Sequence, residues 1–249
     1  YERADADAVS RALEALPPDT RRLPLFAALG LAEPALSGRL HLDAAKLRVL
    51  ADDEAPWASL VAMDLALDQG DLTSADKMAT TWGKDAEGQA LRALRLARLA
   101  RYEGRLDVAD ALSQTALARG TVTPRVLRER AYVLIAKGRG AEVGSQLARY
   151  PLVLGPVATW LSAYAAASGG NTEGARARTA SMDPPPPGAP LEARIVAASA
   201  LGAMKDRRRG VEYVKDVLAG GAANPDLVAA ALSLGLRKVE HGKRGATYE

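Results

Sequence analysis

Little in this chain is equipped for acid–base or covalent chemistry. Its 249 residues include two histidines and no cysteine. His41 and His241 lie 241 − 41 = 200 positions apart and form no local pair. A lone imidazole is more often structural than a general base, although it is the side chain that titrates near neutral pH. Without cysteine there are no thiolate nucleophiles, no disulfides and no thiolate metal ligands. Two imidazoles alone give no basis for a zinc site. Aspartate and glutamate are plentiful but scattered over helix faces, with no spacing that suggests paired-carboxylate catalysis. Gly138-Arg139-Gly140-Ala141-Glu142-Val143-Gly144 has the glycines of a phosphate loop, but it follows a helix and lacks the Lys-Ser/Thr that completes one. Arg207-Arg208-Arg209 could touch phosphates; it reads more simply as the exposed start of a helix, where its charge opposes the helix dipole. The expectation is no catalytic residue, no metal, no cofactor and no enzyme activity.

Side chains that do not react can still recognise, and recognition requires elements that hold them on one face. Those elements are helical. Leu91, Leu94, Ala97 and Ala100 recur at helical spacing, Gly104 interrupts, and Leu106, Ala109, Leu112 and Ala116 begin a second stripe. A glycine there can take the positive φ that ends one helix and turns the chain back. The same glycine recurs at Gly70, Gly104 and Gly138, with intervals of 104 − 70 = 34 and 138 − 104 = 34, then at Gly170. The turns align as GDLTSA, GRLDVA, GRGAEV and GNTEGA. The run from Lys205 to Gly210 is a degenerate fifth copy, and Gly38 to Asp43 a degenerate earlier one. Pro56, Pro124 and Pro156 fall at equivalent helix starts, which supports the register independently.

The spacing predicts helices over 1–16 and 20–31, then paired helices at 42–51, 56–68 with 72–82, 86–102 with 106–119, 125–137 with 141–149, and 157–168 with 172–182. Further helices follow at 191–204, 208–219 and 226–240. Pro34 is expected to follow a helix. Pro184–Pro187 interrupt the pattern, because consecutive prolines favour polyproline II. No stretch alternates with period two, so no sheet is expected. The tail from Gly242 is polar and reads as the beginning of a further unit.

Aromatics are only 4% of the chain. The core must therefore be aliphatic and alanine-rich, with small residues facing across each hairpin: Ala97 with Ala109, Ala131 with Val143, Ala163 with Ala175, Ala198 with Gly210. Net charge is +3 and the pI about 9.2, too mildly basic to indicate nucleic acid. No run reaches the length of a membrane helix, so no membrane insertion is expected. Eight of the 33 basic residues are lysine and the rest arginine, a bias typical of high-GC bacterial genes. A start at Tyr1 reads as the ordered part of a longer or processed protein. The compartment is open between cytoplasm and periplasm, and the oligomeric state is unassigned.

A helix–turn–helix at a period of about 34 is similar to the tetratricopeptide repeat family. The likeness spans about 20–240, with regular units over 56–182, degenerate units over 20–52 and 191–249, and the proline-rich break at 184–190. Ala97, Gly104, Ala109 and Ala116 fit the family pattern and Pro187 meets its closing proline; Ala93, Trp82 and Val143 depart from it. The resemblance implies an all-α fold, a single right-handed α-solenoid of stacked hairpins over 1–249, whose first helices line a concave groove for peptides or partner proteins. Carrying the family's groove positions onto this chain yields Arg98, Arg101, Tyr102, Arg125, Arg128, Tyr132, Trp160 and Tyr164 as partner-binding candidates, beside Trp57, Leu60, Asp64, Leu67, Asp68, Leu91, Leu94, Ile135, Val157 and Ser168. Arginine, tyrosine and tryptophan dominate binding hot spots. The alternative for these residues is packing between hairpins, with the arginines paired to nearby carboxylates. The family's Lys/Asn carboxylate clamp is not recognisable, since Leu94 and Asp64 stand where it would need ammonium or amide groups.

The expected function is a non-enzymatic scaffold or adaptor that binds a peptide or protein partner of acidic and apolar character. The alternative is a regulatory or structural solenoid segment of a larger bacterial protein, such as a kinase, a transcription regulator or a cell-envelope complex. A helical enzyme domain is the third option, and loss of turnover on His41→Ala would reveal it.

Overall fold

The computed structural model describes residues 6–36, 56–81, 89–119, 122–183, 189–219, 224–240 and 246–248. His41, His241, Trp82, Pro187, the expected Gly38 turn and the expected 42–51 helix lie outside them. The described residues fold into fourteen helices and one short hairpin. None of these helices is long and apolar enough to cross a membrane. Internal contacts divide the chain into two compact units. The first comprises residues 1–121 and 223–225, the second 122–222 and 226–249.

The first unit holds α1 (Ala6–Glu14), α2 (Pro18–Arg21), α3 (Pro24–Leu36), α4 (Pro56–Asp68), α5 (Leu72–Thr81), α6 (Gln89–Tyr102) and α7 (Leu106–Arg119). α1 packs on α3, α3 on α4, α4 on α5 and α6, and α6 on α7. The core is aliphatic, built from Ala58, Val61, Met63, Leu65, Leu67, Met78 and Leu99. The expected 20–31 helix is instead two. Pro17 precedes the single turn of α2, and Arg21 folds back to donate to the Leu16 and Glu14 carbonyls at 2.8 and 2.7 Å, covering the end of α1. α3 then runs through Pro34 to Leu36; so near a helix end, the N–H that proline lacks costs one bond and not the element.

The second unit holds α8 (Pro124–Ala136), α9 (Ala141–Ala148), α10 (Val157–Ser168), α11 (Thr172–Thr179), α12 (Leu191–Ala203), α13 (Arg207–Ala219) and α14 (Pro225–Ser233, whose first residue groups with the other unit). α10 is central: it packs on α8, α9, α11 and α12, and α12 packs on α13. Two elements depart from expectation. The last helix ends at Ser233 and not at 240, because Gly235 takes φ +75° and reverses the chain. Beyond it Lys238–Glu240 pairs antiparallel with Ala246–Tyr248, with Val239 opposite Thr247. These strands of three residues each are too short to show a period-two pattern.

The hairpins share one turn chemistry. Gly70, Gly104, Gly138 and Gly170 have φ of +71°, +75°, +72° and +91°. At each, the glycine N–H returns to the carbonyl three residues back and the next N–H to the one five back, as in Gly104→Arg101 at 3.1 Å and Arg105→Ala100 at 2.8 Å. This is the Schellman closure, which satisfies carbonyls a helix end would otherwise leave open. The residue after the glycine often opens the next helix. Asp71 accepts from Ser74 N at 3.0 Å, and Asn171 from Gly174 N at 2.9 Å. Lys205 makes the same closure with φ +57°. Ala97, Ala109, Ala131, Val143, Ala163, Ala175 and Ala198 are fully buried. A β-carbon on Gly202 would collide with Ser233. Small side chains thus set how closely these helices approach.

Candidate functional site

All eight candidate residues sit on the first helices of hairpins: Arg98, Arg101 and Tyr102 on α6, Arg125, Arg128 and Tyr132 on α8, and Trp160 and Tyr164 on α10. In the first unit, α6 presents arginines to α4 one turn apart. Arg95 donates through Nη2 to Asp64 at 2.6 Å, and both side chains are almost fully buried, 1% and 5% exposed. Its Nη1 also donates to the Leu91 carbonyl at 3.0 Å. Arg98 donates to Asp68 at 2.6 Å and through Nε to the Tyr102 hydroxyl at 2.8 Å. Asn224, which groups with this unit, donates to the same Asp68 oxygen at 3.1 Å. Arg101 stacks its guanidinium 4.7 Å from the centre of the Tyr102 ring, within cation–π range. Arg98 is buried; Arg101 and Tyr102 are half-buried.

In the second unit, Arg125 and Arg128 are buried on α8 and share one carboxylate, Glu192 in the first turn of α12. Arg125 Nε lies 3.2 Å from Glu192 Oε1, and Arg128 pairs with Oε2. Tyr132 on α8 meets Tyr164 on α10 edge to face, with ring centres 5.9 Å apart. Trp160 is buried and turns its ring to Tyr213 on α13, 5.8 Å away. Of this group Tyr164 keeps a half-exposed surface.

The structure therefore brings together Arg98, Arg101 and Tyr102 in one unit. In the other it joins Arg125 with Arg128, and Tyr132 with Tyr164. Trp160 belongs to the contact with α13. Arg98, Arg125 and Arg128 are engaged by carboxylates of their own chain, the packing alternative weighed above. A buried guanidinium requires such a partner, because an uncompensated charge in a low-dielectric interior is costly. Of the eight candidates, Arg101, Tyr102 and Tyr164 keep partial solvent exposure.

Sequence reasoning missed Arg95, Glu192, Arg194 and Tyr213. The signal was present in part. Asp64 and Arg95 are 31 residues apart, and Asp68 and Arg98 are 30. Each is one repeat less one helical turn, which places acid and base on facing sides of successive first helices. Arg194 donates through Nε to the Tyr213 carbonyl at 2.8 Å and pairs with Asp216. Partial burial would push the Asp216 carboxyl up, but the Arg194 bond and charge prevail and hold it below the ordinary carboxylate range. Burial raises the Tyr213 hydroxyl above the usual phenol range, against the charge of nearby Arg209. That hydroxyl makes no hydrogen bond of good geometry.

A cleft of about 310 Å³ opens between α9, α10 and α11, lined by Gly140, Gly144, Ser162, Ala165, Asn171 and Arg178 among others. It follows from small residues: a β-carbon on Gly140 would lie 2.8 Å from the Ala165 carbonyl oxygen. Asn171 is already spent capping α11. The cleft has no converging set of acid, base and nucleophile.

The chain matches no protein-family model, and no curated protein or solved structure matches it either.

Proposed function

We propose that this protein is a non-enzymatic interaction scaffold whose stacked helical hairpins, tetratricopeptide-like and wound as a right-handed solenoid, bind a peptide or protein partner along their first helices. One observation carries the reading. Of the eight candidate residues, Arg101 and Tyr102 on α6 and Tyr164 on α10 keep part of their surface, while Arg98 on α6 and Trp160 on α10 are held by a buried ion pair and a ring contact. A rigid backing of this kind lowers the ordering cost when a partner docks on arginine and tyrosine anchors. The Arg101 guanidinium lies 4.7 Å from the Tyr102 ring centre, within cation–π range, and arginine suits carboxylates on a partner.

Crosslinking mass spectrometry on the protein in its native host tests this reading. The expected result is one or a few stoichiometric partners crosslinked near α6 or α10. Their recovery should fall about ten-fold or more with Arg101→Glu or Tyr164→Ala, as anchor losses of a few kcal/mol imply. Both substitutions leave the buried ion pairs intact, and Tyr164→Ala also removes the edge contact with Tyr132, so its melting temperature is compared with wild type. Undiminished capture by both variants would rule out both surfaces, that of α6 in the first unit and that of α10 in the second.

A further inference from the structure

The fifth turn of the array opens its helix with three arginines. A helix N-terminus carries partial positive charge and favours acidic side chains. Accordingly α7, α9 and α11 have Asp107, Glu142 and Glu173 in their first turns. The first turn of α13 has no acid, and its three leading residues are Arg207, Arg208 and Arg209. The residue closing the preceding helix is Lys205, in the left-handed conformation at φ +57°, where the four earlier turns use glycine. That conformation costs a side-chain-bearing residue on the order of 1 kcal/mol.

The cations also stand together at the surface. Arg176 of α11 donates to the Met204 carbonyl at 2.9 Å, beside Lys205. Arg209 donates to the Thr179 carbonyl at 3.3 Å and lies 3.7 Å from Asp206. Lys205, Arg207 and Arg208 are exposed, and their side chains have no hydrogen-bonding or ion-pair partner among the described residues. Asp206 is engaged as the cap of α13, accepting from Arg209 N at 3.3 Å.

We propose that this turn, with Lys205, Arg207 and Arg208 at its tip and Arg176 and Arg209 at its flanks, is a docking surface for an acidic segment of a protein partner, distinct from the first-helix face. Charge complementarity selects the partner. A short run of carboxylates matches cations clustered on one turn, and the arginine forks suit carboxylate geometry. A nucleic-acid backbone fits less well. It would need a longer basic track and rings on which bases stack, but the aromatic of this turn, Tyr213, is buried.

The test measures binding of a fluorescein-labelled oligoglutamate peptide, and separately of single-stranded RNA, by fluorescence anisotropy at moderate salt. The proteins are wild type, Arg207→Glu/Arg208→Glu, Arg207→Gln/Arg208→Gln, and the control Arg11→Glu/Lys77→Glu. The control changes net charge equally, at two exposed first-unit residues whose side chains have no partner among the described residues. The peptide should bind wild type, weaken about ten-fold or more with the glutamate pair, fall between with the glutamine pair, and change less than about two-fold with the control. Glutamate suits the start of a helix, so the reversed variant should melt no lower than wild type, which separates lost binding from lost fold. No peptide binding, equal weakening by the control, or tighter binding of RNA lost with the same two residues would each overturn the proposal.

Discussion

The Arg95–Asp64 pair offers the sharpest test of what the arginines of α6 do. Its side chains are 1% and 5% exposed, with Nη2 and Oδ2 2.6 Å apart. If the pair ties α6 to α4, Asp64→Ala leaves a guanidinium in a dry interior without its carboxylate and should cost about 3–5 kcal/mol. Arg95→Met exposes the opposite imbalance and should cost a similar amount. The double variant Asp64→Leu/Arg95→Met removes both charges and keeps the volume; it should lie within about 2 kcal/mol of wild type, on either side. The cycle would thus report a coupling of several kcal/mol, far above the 0–1 kcal/mol of an exposed pair. Two units argue against a single all-or-none transition, so the readout should be hydrogen exchange of the α4 and α6 amides beside urea unfolding. Single-variant losses below about 1 kcal/mol, or a double variant as unstable as the sum of the singles, would show that the pair does not join these helices.

Other perturbations separate backbone effects from packing. Gly104→Ala places a β-carbon in open space at φ +75°, so it should cost about 1–2 kcal/mol through the backbone alone, seen as a lower urea midpoint with unchanged m-value. Lys205→Gly relieves the same conformation at φ +57° and should raise stability by up to about 1 kcal/mol. Gly202→Ala drives a methyl into Ser233 and should destabilise the second unit by about 1–3 kcal/mol, with faster exchange of α12 and α14 amides. Tyr213 has a raised hydroxyl pKa. Its contribution is whole below the unfolded phenol value near 10 and falls as pH climbs through the higher folded value; Tyr213→Phe should flatten that alkaline loss in pH-dependent melts. Asp216 runs the other way. Its lowered pKa contributes above the unfolded carboxyl value and is lost as pH falls through the folded one. Asp216→Asn should remove that small acid-side slope, small because the carboxyl is 65% exposed.

What could be read directly was local. Helix periodicity and a glycine every 34 residues marked the hairpins from α4 to α13 to within a few residues, because a Schellman turn needs a residue that tolerates positive φ and stacked helices need small side chains. Even the fifth turn was legible without its glycine, although nothing in the residue type announced that Lys205 would take the glycine conformation. The end of α14 at Gly235 and the three-residue strands beyond it were not legible. A glycine turn inside an apolar run looks like continuing helix, and so short a strand has no periodicity to detect.

Tertiary structure alone decided the fate of the arginines. By residue type Arg95, Arg98, Arg101, Arg125 and Arg128 are equivalent, and the family resemblance places several of them at expected groove positions of the first helices. Whether a guanidinium reaches solvent or a carboxylate depends on which acid the neighbouring helix brings within about 4 Å. Glu192 reaches Arg125 and Arg128 from two hairpins away, a distance along the chain at which local patterns carry no information. The repeat period determined that helices would stack; the side-chain contacts of the folded units determined that Arg98, Arg125 and Arg128 are held inside while Arg101, Tyr102 and Tyr164 remain at the surface.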